Sequence, residues 1–284
     1  MAVVNATSNP LGRACAVRFA ARGCDVVLLC DPDDDESATV AQLTLFGRRA
    51  ISIAVDRADA GSFEWAVRRI ESRFGPIDIW VNLPGEAEPV PIGRLDPVEV
   101  AQVTERAYLG AVYGTCAALR RMRGRNRGVV ISAGSSRSWR PAPRRAADSA
   151  ALSASRAFHD SLRTELLQER SSVQIVQIYL DDSSAEVAAR AIVAAAERPR
   201  RQRIVGTRNR LVTQVNKFTP GLLDHLMAAT APSPSRPNRA VHRRVIGTPE
   251  SAPRPLLRTV ERSLVHATHA VSSRAREIVS DWGR

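Results

Sequence analysis

A handful of polar side chains in this sequence stand where apolar runs end, and the ends of buried strands are where a parallel sheet meets its ligands. Asp31 follows Val26-Val27-Leu28-Leu29-Cys30. A carboxylate there accepts hydrogen bonds from a ribose diol and repels a phosphate placed on it. Asp33, Asp34, Asp35 and Glu36 crowd the same turn, so a solvated acidic turn is the alternative reading. Asp56 closes a third apolar run, and Asn82 opens the turn Asn82-Leu83-Pro84-Gly85. Both types serve equally as ligand contacts or as turn formers. Ser135 comes just after Val129-Val130-Ile131, with a hydroxyl able to donate. Between Val4 and the next helical stretch lies NATSNPLG, which carries Ala6, Ser8, Pro10, Leu11 and Gly12. Free backbone N–H groups at a helix start bind anions, but Pro10 has none and puts a ring in the way. This turn therefore reads either as closed, with no cofactor, or as a weak anion site through the remaining helix dipole.

The elements that position these residues follow from hydrophobic pattern. Strands are expected at 2–4, 25–30, 50–55, 78–81, 129–131, 173–180 and 203–205. Helices are expected up to Arg22 and at about 37–47, 96–122, 148–169 and 185–197, with another opened by Ser62 as its cap. Strands almost continuously apolar and alternating with helices make a parallel sheet covered on both faces. The fold class is α/β, a Rossmann-type doubly wound sheet. After about residue 230 the text turns Pro/Ser/Arg-rich to Pro255, a linker composition. Leu257, Val260, Leu264, Val271, Ile278 and Trp282 then fall at helical spacing and predict a C-terminal helical tail about 40 Å long. The domain expectation is 1–230, 231–255 and 256–284.

Charge is placed unevenly. The chain has 41 basic and 29 acidic residues; 198–284 holds 17 basic and 5 acidic, so the whole net +12 sits there. Nucleic acid or an anionic surface is a conceivable partner for such a stretch, but it has no nucleic-acid motif and no aromatic interleaving. His266 and His269 share a helix face without a third ligand, so no metal is expected. Cys15, Cys24, Cys30 and Cys116 form no C-x-x-C pair and read as reduced thiols. No run of 18 apolar residues predicts a membrane span, and Ala2-Val3-Val4 is not a secretory leader. The expected setting is cytoplasmic.

The stretch GVVISAGSSRSWRPAPRRAADSAALSASRAFHDSLRTELL, 128–167, resembles the catalytic segment of the short-chain dehydrogenase/reductase family, in its actinobacterial-type members. The likeness runs over about residues 2–230. Ala107-Tyr108-Leu109-Gly110, Val112-Tyr113-Gly114-Thr115, AALRRM (117–122) and EVAARAIV (186–193) add to it. The resemblance implies a Ser, Tyr and Lys that act at the substrate oxygen and the nicotinamide ribose. Without gaps they fall on Ser135, Asp148 and Leu152; a register laying LSASR on the family's YSASK gives Leu152 and Arg156. The only lysine, Lys217, has Thr213 four residues before it, so no Tyr–Lys pair of that spacing exists.

The family's glycine-rich phosphate loop falls on Asn5, Ala6, Pro10 and Gly12, of which only Gly12 is glycine. By resemblance Asp31, Asp56, Asn82 and Gly85 line the cofactor crevice. The cofactor would be NAD or NADP, with NAD favoured by Asp31, and binding is expected to be weakened or lost. The substrate-covering loop after the sixth strand is shortened to Asp181-Asp182-Ser183-Ser184. Three readings follow. One is a degenerate, catalytically impaired homologue (a pseudoenzyme) that serves as a partner in a homo-oligomer or with a related subunit. The others are an active NAD(P)-dependent oxidoreductase with an altered mechanism, and a basic-tail protein for an anionic partner.

Overall fold

Strand β1 (Ala2–Asn5) shows how the layers arise: Ala2 and Val4 point to one face of the sheet, Val3 to the other, and all are fully buried. The same alternation runs through β2 (Val26–Cys30), where Val26 and Leu28 join Ala2 and Val4 while Val27 and Leu29 join Val3. With β3 (Ala50–Ala54), β4 (Ile79–Asn82), β5 (Val129–Ser135), β6 (Gln174–Leu180) and β7 (Gln202–Ile204), these strands form one seven-stranded sheet. Its order is β3-β2-β1-β4-β5-β6-β7 and every pairing is parallel. This is the expected doubly wound α/β architecture. The structure, a computed structural model, describes residues 1–5, 9–83, 85, 87–180 and 184–206. The expected linker, the C-terminal helical tail, Lys217, His266 and His269 lie outside the described residues.

One face is covered by α1 (Pro10–Ala21), α2 (Ser37–Thr44) and α7 (Ala185–Glu197), which bury Phe19, Leu43 and Ile192. The other is covered by α3 (Ala60–Phe74), α5 (Gly110–Arg125) and α6 (Ala146–Gln168), which bury Phe63, Met122 and Leu166 against Trp80. Parallel strands need such crossovers, so the central strands are closed to water on both sides, while Ser52 and Ala54 of the edge strand β3 stay exposed. Gly114 on α5 is required by close approach: a Cβ there would lie 2.7 Å from Trp80 Cζ2.

Three local expectations are corrected. Asp59, not Ser62, caps α3, accepting from the backbone N–H of Gly61 and Ser62 at 2.9 Å each. Two carboxylate oxygens reach two orphan N–H groups at once, which one hydroxyl cannot do. The helix expected at 96–122 is divided into α4 (Pro97–Thr104), a π-helical turn at Glu105–Leu109, and α5. Such a turn closes its hydrogen-bonded ring with one extra residue. Strand β5 runs on to Ser135 because Ala133-Gly134-Ser135 keep pairing with Ile178-Tyr179-Leu180. Ser135 is thus the last residue of the strand.

Candidate active site and cofactor crevice

The strand order reverses direction between β1 and β4, and the crevice of an open parallel sheet opens at the C-terminal ends of the strands at such a point. Asn5 ends β1 and Asn82 ends β4, and they are joined: Asn5 Nδ2 donates to Asn82 Oδ1 at 3.0 Å. Asn82 Oδ1 also accepts from Trp80 Nε1 at 2.8 Å, and its Nδ2 donates to Thr115 Oγ1 at 2.8 Å. Thr115 Oγ1 lies 3.2 Å from Nε2 of the fully buried His159, whose Nδ1 is 2.6 Å from the Ser155 carbonyl. A ring nitrogen facing a carbonyl must carry the proton, so Nδ1 donates and Nε2 is left to accept from Thr115. Burial lowers the His159 pKa to about 4 against a lesser raising by the Ser155 carbonyl. Asn82 thus spends its polar atoms inside the protein.

On the phosphate side, Pro10 is the first residue of α1, where its missing N–H costs the helix nothing. Asn9 caps the helix, and its Oδ1 takes the Gly12 N–H at 2.7 Å. One donor that an anion would want is therefore used. Leu11 is half-buried and Gly12 buried. Ala6 and Ser8 lie outside the described residues. Gly85 is described and half-buried.

Asp56 is exposed, its Oδ1 accepting from Ala58 N at 2.8 Å in a local turn. The next residue, Arg57, is only 6% exposed. Its Nε donates to Asp31 Oδ1 at 2.5 Å and its Nη1 to Asn5 Oδ1 at 3.4 Å. Asp31 therefore meets the crevice with one carboxylate oxygen held by an internal cation.

Ser135, Asp148 and Leu152 are brought to the same end of the sheet but not to one cavity. Ser135 Oγ accepts from the Arg137 backbone N–H at 3.3 Å. Asp148, in the first turn of α6, is 2% exposed; its Oδ2 accepts from Arg137 Nε at 2.8 Å and its Oδ1 has no partner among the described residues. Leu152 is buried and faces a cavity of about 20 Å³ with Asn82, Ser132, Gly134, Arg156 and Tyr179. That is room for about one water, far below the several hundred Å³ of a ligand pocket. Arg156 lies over the Trp139 ring at 4.3 Å and donates from Nε to the Ser138 carbonyl. Asp148 lines a separate cavity of about 10 Å³ with Arg144 and Arg145. Residues 181–184 alone separate β6 from α7, which leaves no length for a covering loop.

Four contributors escaped the sequence reading: Arg57, Arg137, Thr115 and His159. Arg57 carried a signal, since it stands two residues after the apolar run that ends at Val55, and an arginine held inside there needs a carboxylate nearby. Thr115 and His159 carried none, because they meet from 44 residues apart, and Arg137 reaches Asp148 across 11 residues that hold no periodic pattern. Among the described residues no group of His, Cys, Asp and Glu could hold a metal, and no helix is long and apolar enough to cross a membrane.

A dinucleotide would need a free helix N-terminus, a free carboxylate at the adenosine ribose and space for a nicotinamide. The described residues meet these needs only in part: Asn9 takes one N–H of that terminus, Arg57 holds one oxygen of Asp31, and Leu152 faces the cavity of about 20 Å³.

The comparisons with known proteins bear on the same region. The family model described as short chain dehydrogenase matches residues 1–190. A short chain dehydrogenase of Pseudocercospora fijiensis is 31% identical over 176 residues, 58% of this chain and 54% of that protein. An uncharacterized oxidoreductase of Bacillus subtilis, YxnA, is 28% identical over 256 residues, 79% of this chain and 70% of that protein. The chain thus spans about half the length of the first and rather more of the second. Among solved structures, a metagenomic short-chain oxidoreductase in complex with NADP superposes with a TM-score of 0.63 at 20% identity. It covers 69% of this chain and 90% of its own, a likeness of fold.

Proposed function

The chain belongs to the short chain dehydrogenase family, and from that premise we propose that it keeps the family's fold without its reaction, serving as a non-catalytic partner protein. The observation that carries this reading is Asp148, which falls on the family's Tyr position: it is buried and bound to Arg137 at 2.8 Å. A proton donor at the substrate oxygen must hold its proton near neutral pH and reach the reacting atom. A side chain 2% exposed and bound to Arg137 does not reach that atom. Leu152, on the Lys position, supplies neither charge nor a hydrogen bond to a ribose.

The ligand class of the crevice is a nicotinamide dinucleotide, supported by family membership and by the structural neighbour that binds NADP. Asp31 favours NAD of the two. Arg57, Asn9 and Pro10 weaken that binding. Association with a second copy or a related subunit is supported by Leu109 and Val112, beside and on α5, and by Phe158 and Leu162 on α6. All four are apolar and only half-buried in the single chain. The test is turnover: purified protein with NADH or NADPH and a panel of ketones and aldehydes should consume no cofactor above a blank. Robust turnover that disappears in Ser135→Ala would sink the reading in favour of an oxidoreductase with an altered mechanism.

A further inference from the structure

Arg57 is a buried guanidinium that the reading above does not use, and it lies where the crevice would take the adenosine end of a nucleotide. Its aliphatic stem rests on Gly110 at the start of α5, where a Cβ would come 3.3 Å from Arg57 Cβ and 3.4 Å from Cγ. Its head joins two strand ends, Asp31 after β2 and Asn5 at the end of β1. Nη2 is buried and has no hydrogen-bond partner among the described residues. An unpaired buried donor gives back part of what the ion pair contributes. The pair is strong enough to hold Asp31 and poorly enough satisfied to be displaced.

We infer that Arg57 is the specificity-determining residue of this crevice: an internal cation that holds one oxygen of the ribose-reading carboxylate and denies an adenosine ribose its two-oxygen hold until it is displaced. The physical argument is competition for one acceptor. A ribose diol takes both oxygens of a carboxylate, and Arg57 Nε already holds Oδ1 at 2.5 Å, which leaves Oδ2 for one hydroxyl. The charge-assisted bond to Arg57 is the stronger of the two, and it is always present at an effective concentration no free ligand matches. A ribose must therefore pull Arg57 off Oδ1 before both its hydroxyls are held. Asn5, whose Oδ1 the same guanidinium touches, is screened at the same time. The inference rests on the reading of the crevice as a nucleotide site but is separate from the loss of the reaction.

The experiment is calorimetric titration of the full chain with 5′-AMP and with NAD, comparing wild type, Arg57→Ala and Arg57→Met. Methionine keeps an unbranched stem over Gly110 and removes the guanidinium. Both variants should bind 5′-AMP on the order of tenfold more tightly than wild type, the worth of one freed charge-assisted hydrogen bond. Adding Asp31→Asn to either should erase the gain, because the gain runs through that carboxylate. Equal affinity in wild type and variants overturns the inference, and weaker binding in the variants makes Arg57 a phosphate contact instead. Loss of a cooperative thermal melt in both variants would make it a structural bridge and overturn the inference as well. Turnover by wild type would sink the non-catalytic reading while leaving this comparison to stand on its own.

Discussion

Removing the Arg137 guanidinium tests the central feature of the site, because it strands Asp148. The carboxylate is 3% exposed at its side chain, and Arg137 is 29% exposed. Oδ2 has Arg137 Nε at 2.8 Å and Oδ1 has no partner among the described residues. Breaking a buried pair from one side costs about 3–5 kcal/mol, since the surviving charge keeps its desolvation without its attraction. Arg137 is partly open to solvent, so water can enter behind the deleted side chain, and the low end of that range, about 3 kcal/mol, is expected for Arg137→Ala. For a domain of this size that is a fall in Tm of about 6–12 °C. Urea unfolding of the full chain, followed by far-ultraviolet circular dichroism, measures it as a lower midpoint at unchanged slope. Replacing both partners, Arg137→Met with Asp148→Leu, should return to within about 1 kcal/mol of wild type, as apolar pairs of similar volume do. An Arg137→Ala midpoint within about 0.5 kcal/mol of wild type would refute the reasoning, because Asp148 would then be hydrated and available, and the argument against its proton-donor role would lose its basis.

Two further expectations concern the core behind the site. His159 has its pKa lowered to about 4 from an ordinary 6.5 by burial. Between those values the unfolded chain binds the proton and the folded chain does not, so its contribution is present above pH 6.5 and is lost as pH falls through the folded value. The loss amounts to about 3 kcal/mol; melts of wild type against His159→Gln over that range should show a shallower acid slope in the variant, and parallel curves would sink the assignment. Gly114→Ala places a Cβ 2.7 Å from Trp80 Cζ2 and 3.1 Å from Asn5 Nδ2. Trp80 is fully buried and has nowhere to go, so a loss of about 1–3 kcal/mol is expected, and an unchanged urea midpoint would show that the contact relaxes freely.

The sequence by itself determined the layer plan. Apolar runs such as Val26-Val27-Leu28-Leu29-Cys30, broken by helical stretches with Phe63, Val67 and Ile70 at helical spacing, admit little besides a parallel sheet with helices on both faces. It also determined which chemical groups are missing, since a Leu152 or a Pro10 is absent chemistry wherever the chain takes it. Element ends were less legible: Asp59 and Ser62 both suit a helix start, and only the geometry of the turn chose Asp59. Pairing across the chain was decided by the tertiary structure alone. Arg57 meets Asp31 from 26 residues away, and Thr115 meets His159 from 44. Arg137 finds Asp148 only because β5 and the start of α6 are folded onto the same end of the sheet. Side-chain pattern reports periodicity, which is local. A buried charge chooses its partner by proximity in the folded sheet, and strand order sets that proximity.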